Sequence, residues 1–306
     1  MAQKSPSLSE ETLQKVSRSF GLTLKLLPKK GRSAVTLAYA LARAADTLSD
    51  SGSASSLKRL AYLKDWENAI LHADSRYAPP TLEGLSESEE SLRLAMPSLI
   101  RDLQSLSNAH QTAVVKVIMT LISAMVWDLE RFNGDFEKAL PMSENDFDWY
   151  CYHIAGCVGQ FWVEVFDLSP SLVPSAIIYG KALQRINILR DLVDDQKRGR
   201  WYLPFSKSRQ PWKETGWNSF LISYLAETKT GLCEGIKFCN ALPRLSPLFR
   251  VASALPAFIG LKTLDQLATT THVTSPVKIS RDQLKQISLQ LVTRAFLARS
   301  FPLSQP

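Results

Sequence analysis

The stretch Gln184-Arg185-Ile186-Asn187-Ile188-Leu189-Arg190-Asp191-Leu192-Val193-Asp194-Asp195 decides the fold class. Gln184, Asn187, Asp191 and Asp195 recur at spacings of three and four residues, so on a helix they form one polar stripe. An upstream segment repeats the pattern: in Tyr39-Ala40-Leu41-Ala42-Arg43-Ala44-Ala45-Asp46-Thr47-Leu48-Ser49-Asp50, Tyr39 and Arg43 share a face with Asp46, and Asp50 follows four residues later. Carboxylates at i and i+4 repel each other on an exposed helix. If buried they must be paired or bound to cations. A hard divalent cation resolves both costs, because Mg²⁺ takes one or two carboxylates, substrate phosphate oxygens and several waters. One Asp-x-x-x-Asp alone is ordinarily a solvated helix face. Two of them, each with Asn/Gln or Arg/Tyr on the same stripe, point to a cation site.

Helical periodicity extends outward from these segments in both directions. It predicts helices over about 9–27, 31–50, 56–72, 91–108, 111–132, 143–166, 171–196, 217–241, 246–269 and 281–300. Residues 73–88, with Pro79-Pro80 and several Ser and Gly, form a loop on this reading. Pro97, Pro174 and Pro256 mark helix starts or kinks. No long period-2 run, internal repeat or linker interrupts the pattern. The expectation is one all-α domain spanning residues 1–306.

The formal charge of +7 favours an anionic partner. Its basic residues are scattered, which argues against nucleic acid and leaves a phosphorylated substrate or a membrane surface. Neither Cys151/Cys157 nor Cys233/Cys239 has zinc-finger spacing, so the expectation is reduced thiols on helix faces. The opening MAQKSPSLSEE lacks an apolar leader. Residues 113–127 and 251–261 are apolar but fall short of the roughly 18–20 residues of a membrane span. These features predict a cytoplasmic protein, at most peripheral to a membrane.

The residue identities carry a resemblance. Ser17-Arg18-Ser19-Phe20, the Tyr39–Asp50 segment, Tyr150-Cys151-Tyr152-His153-Ile154-Ala155-Gly156-Cys157-Val158-Gly159 and Asn187 through Pro204 resemble, in order, the squalene/phytoene synthase family. The resemblance implies the isoprenoid synthase helical fold, with a central cavity and the two aspartate motifs on opposing walls. It implies that Asp46, Asp50, Asp191 and Asp195 ligate Mg²⁺, with Asn187 adding or orienting a ligand and Gln184 lining the same wall. Ser17, Ser19, Arg43 and Arg190 would contact diphosphate oxygens; Arg suits this because its planar fork presents paired donors. Tyr39 and Tyr150 match the family's cavity tyrosines, and Phe20 would help shield a cation. Competing structural roles stand beside these. Tyr150 is also a natural core aromatic, and Gly156 and Gly159 fit close helix packing as well as a bend that admits an alkyl chain. Lys197, Arg198 and Arg200 suit phosphate binding or simple charge complementarity at a helix C-terminus.

The family's chemistry is head-to-head coupling of two prenyl diphosphates, farnesyl diphosphate favoured here. Loss of diphosphate leaves an allylic cation, which a dry cavity protects from water. Reduction by NADPH after presqualene diphosphate would give squalene. The alternative is a phytoene, dehydrosqualene or presqualene-diphosphate synthase with no reductive step. The Asp46-Thr47 pattern resembles the squalene branch, whereas no Gly-x-Gly-x-x-Gly marks a dinucleotide site.

Overall fold

The computed structural model describes residues 24–50, 54–132, 135–269, 277 and 279–303. The predicted helix over 9–27 and the site candidates Ser17, Ser19 and Phe20 therefore lie outside the described residues, apart from the last few positions of that helix. Every regular element among the described residues is helical, as the periodicity requires. In chain order the α-helices are α1 (Lys29–Ser49), α2 (Ser56–Leu71), α3 (Glu87–Gln104), α4 (Asn108–Arg131), α5 (Glu144–Cys151), α6 (Cys157–Val165), α7 (Val173–Arg190), α8 (Leu192–Lys197), α9 (Trp217–Ala241), α10 (Pro247–Thr269) and α11 (Arg281–Phe296). Contacts gather into two compact units. One runs to Arg131 and includes Glu164–Asp167; the other comprises Phe132–Val163 and the chain from Leu168 onward.

In the first unit, α1 packs against α2, α3 and α4. Small residues on α1 (Ala34, Ala38, Ala40, Ala44 and Ala45) are buried and let these neighbours approach, while Leu37, Leu41 and Leu48 fill the space between them. Trp66 of α2 is fully buried and points its indole N–H at Leu41 O. Helix α3 begins at Glu87, four residues earlier than the periodicity suggests. A capping box explains the difference: Ser86 Oγ accepts from Glu89 N, and Glu89 Oε2 accepts from Ser86 N at 2.8 Å. Pro97 lies inside α3 and Pro256 inside α10, so neither marks a helix start, whereas Pro174 falls in the first turn of α7. By length and composition α4 is apolar enough to cross a bilayer, which differs from the expectation for residues 113–127. The helix runs well past those residues at its N-terminal end, and Val114, Val117, Ile118 and Ile122 are buried as in a core helix.

The second unit is built around α7, which touches α9, α10 and the segment between α5 and α6. The expected single helix over 143–166 is instead α5, a π-helical turn at Tyr152–Gly156, and α6. Glycines set the spacing around α7. A Cβ on Gly159 would collide with Ala176 O, and one on Gly180 with Ala155 O. A Cβ on Gly260 would come within 2.7 Å of Ile186 Cδ1. Close helix packing thus accounts for Gly159 directly, without an alkyl chain. Arg185 fixes the rotation of α7: its guanidinium lies 4.5 Å from the Tyr224 ring, donates to Thr228 Oγ1 at 3.0 Å, and pairs with Glu227.

Candidate active site

The first stripe occupies the C-terminal half of α1. Tyr39, Arg43 and Asp46 are half-buried, and Asp50 is exposed as the C-cap, its N–H bonded to Asp46 O at 2.9 Å. A carboxylate at a helix C-terminus faces the negative end of the helix dipole, an arrangement that a nearby cation relieves. Thr47 and Ser49 do not compete for that cation, because their hydroxyls bond back to Arg43 O and Asp46 O. Arg43 Nη1 pairs with Asp46 Oδ2, while Arg43 Nε is buried with no hydrogen-bond partner. Burial holds the Tyr39 hydroxyl above its ordinary pKa, partly offset by the Arg43 charge.

These residues line a cavity of about 190 Å³ that sequence reasoning had only half identified. Arg43, Asp46, Thr47 and Asp50 form one side; Glu83, Gly84 and Leu85 of the loop and Glu89 of α3 form the other. Glu83 and Glu89 were not foreseen. The available signal was Ser86-x-x-Glu89 ahead of an apolar run, a helix-start pattern that would have placed Glu89 in the first turn of a helix. Hydrogen bonds from Ser86 hold the Glu89 carboxyl below its ordinary pKa.

The second stripe crosses a bend. The helix expected over 171–196 is α7 and α8, separated at Asp191, whose φ of −97° and ψ of 7° depart from helical values. The i to i−4 bonding continues regardless: Asp191 N donates to Asn187 O and Asp195 N to Asp191 O, both at 2.9 Å. Gln184, Asn187, Asp191 and Asp195, all half-buried, therefore keep their common face. Asn187 Nδ2 donates to Gln184 Oε1 at 3.3 Å. Arg190 grips Asp191 in two places, Nε to Oδ1 at 2.8 Å and Nη2 to Oδ2 at 2.5 Å, and this bonding raises the Arg190 pKa. Helix α8 ends on Gly199 at φ +76°, with Gly199 N bonded to Gln196 O and Arg200 N to Asp195 O, the double bond pattern of a left-handed helix cap. Lys197 pairs with Asp194 at 2.8 Å, which favours its charge-complementing role over phosphate binding.

Tyr150 is buried and stacks on Tyr202 with ring centroids 4.8 Å apart. Among the described residues, no three His, Cys, Asp or Glu side chains are gathered closely enough to hold a metal. The residues present nevertheless fit Mg²⁺ bound with a diphosphate. Such an ion needs only one or two carboxylates per stripe, and the unsatisfied Arg43 Nε supplies a donor for an anionic oxygen.

A family model for squalene/phytoene synthase matches residues 13–210, and the chain belongs to that family. The squalene synthase of Bos taurus is 29% identical over 202 residues, covering 63% of this chain and 45% of its own length. This chain thus spans under half the length of that relative. The solved complex of TcSQS with a ligand has a TM-score of 0.75 at 21% identity, covering 97% of this chain and 91% of that one. A dehydrosqualene synthase in complex with a ligand has a TM-score of 0.68 at 20% identity, with 94% of each chain covered. Both structures share the all-helical fold.

Proposed function

We propose that residues 1–306 act as one catalytic domain that couples two molecules of farnesyl diphosphate head to head, through presqualene diphosphate, to squalene. The observation that carries this reading is the second stripe. Its four side chains keep one face across the bend at Asp191, inside the segment matched by the family model. In this reading Asp46, Asp50, Asp191 and Asp195 hold magnesium, with Asn187 and Gln184 on the same wall as the second pair. Arg43 and Arg190, with Ser17 and Ser19, donate to diphosphate oxygens. Magnesium, when bound, neutralises charge on the departing diphosphate. Phe20 helps shield the cationic carbon, Tyr39 and Tyr150 serve as cavity tyrosines, and Tyr150 or the released diphosphate takes the proton lost during coupling. In the squalene reading, NADPH would supply the terminal hydride when bound. The protein works in the cytoplasm, with peripheral membrane contact for release of an apolar product.

Incubation with farnesyl or geranylgeranyl diphosphate and Mg²⁺, with and without NADPH, tests the reading by product identity. Squalene formed only with NADPH is the expected result. A conjugated triene or presqualene diphosphate regardless of NADPH replaces the squalene assignment with the non-reductive alternative. No turnover of any prenyl diphosphate overturns the enzymatic reading.

A further inference from the structure

Each Asp-x-x-x-Asp motif begins with an aspartate that an arginine already holds. Arg43 Nη1 pairs with Asp46 Oδ2, and Arg190 occupies both oxygens of Asp191. The pairs are equally accessible: side-chain exposures are 35% and 37% in the first, 35% and 36% in the second. Partly exposed ion pairs contribute little to folding stability, so stability alone does not account for one at the head of each motif. A cation ligated by these carboxylates must compete with the guanidinium for the same lone pairs. A diphosphate, in turn, competes with the carboxylate for the guanidinium.

We infer that Arg43 and Arg190 are exchangeable counter-ions that couple divalent-cation binding to diphosphate binding. The cation takes the aspartate oxygens, and the released guanidinium turns its donors to the diphosphate. A cation alone would strand an arginine without its carboxylate, and diphosphate alone must displace a carboxylate to reach the donors that it engages. Bound together, each supplies the partner that the other removes. Such coupling is reciprocal by thermodynamic linkage. The inference deepens the diphosphate reading above and rests on it.

The signature is a pair of opposite shifts. Mn²⁺ serves as a paramagnetic probe titrated into the protein alone, and inorganic diphosphate is titrated by calorimetry in excess Mg²⁺ or in chelator. Arg190→Gln frees Asp191, so Mn²⁺ alone should bind roughly three- to tenfold more tightly, while diphosphate in Mg²⁺ binds about tenfold more weakly. Arg43→Gln should shift both in the same directions by less, because one bond is lost rather than two. Arg190→Lys keeps the charge without the two-point grip and should fall between parent and Arg190→Gln, a second route if the Gln variant folds poorly. Mn²⁺ affinity unchanged or weakened in these variants, with magnesium-dependent diphosphate binding intact in the parent, overturns the exchange alone. Absence of magnesium-dependent diphosphate binding in the parent overturns the underlying reading as well.

Discussion

The two carboxylate stripes share a spacing but are built in opposite ways. The first lies at the end of α1, where the exposed Asp50 is a helix cap and the far side of the cavity comes from a loop and the start of α3. The second runs from α7 across the bend at Asp191 onto α8, and α7 is packed against neighbours on several faces, its rotation fixed by Arg185 and its approach distances set by glycines. Five charged side chains line the first cavity: Arg43, Asp46, Asp50, Glu83 and Glu89, of which four are acidic. Beside the second stripe, Asp194 is paired with Lys197. The same motif can therefore be positioned by a surface loop or by a core. The first arrangement adjusts through its loop, whereas the second can shift only if packed helices move.

Substitution of the leading aspartates puts the strongest pressure on this comparison. Asp46→Ala and Asp191→Ala should each lower turnover of farnesyl diphosphate by about 10²–10³-fold with far-ultraviolet circular dichroism unchanged. A variant that keeps parental turnover would remove its stripe from the site. Next in size is a contrast in glycines. Gly159→Val forces a side chain into the backbone of α7 and should cost about 1–3 kcal/mol in a urea melt. Gly84→Ala has open space around it but a φ of +76°, and should cost about 1–2 kcal/mol through backbone strain. A smaller loss at Gly159 than at Gly84 would reverse the assignment of rigidity to the second unit.

The extra carboxylates give a finer test. Glu83→Gln should raise the Mg²⁺ concentration for half-maximal turnover about two- to threefold. Glu89 should also shape acid stability. Its folded pKa is depressed by Ser86, so its contribution is fully present above the ordinary carboxyl value of about 4.3 and is lost as pH falls through the lower folded value. Glu89→Gln keeps a capping box, because Gln also serves at that position, and should flatten this part of the stability profile in thermal melts between about pH 3 and 5.

Most of the fold was legible because helical periodicity and helix-ending residues act locally. The helix over 217–241 matches α9 at both ends, and the helix over 56–72 matches α2 to within one residue. The misses share a physical cause. The bend at Asp191 and the π-helical turn at Tyr152–Gly156 leave a run of helix-forming residues uninterrupted, so nothing in the local pattern marks them. Glu83 and Glu89 join the candidate site only through the tertiary placement of a loop, which spacing along the chain does not encode. Tyr150 and Gly159 were legible as identities but ambiguous in role, and neighbouring atoms decided the second of them: Gly159 is a contact point for α7.

The π-helical turn also sets an angular phase along the chain. Its wider ring accommodates one residue more than an α-helical turn, and each residue advances an α-helix by about 100°. Tyr150 lies before that offset and Gly159 after it. One side of the offset is keyed to the Tyr202 ring and the other to the backbone of α7. Loss of a single residue within Tyr152–Gly156 would restore an ordinary helix and put those two keys about 100° out of step. The segment therefore tolerates changes of side chain more readily than changes of length, and its residue count is as much a part of the architecture as any one residue in it.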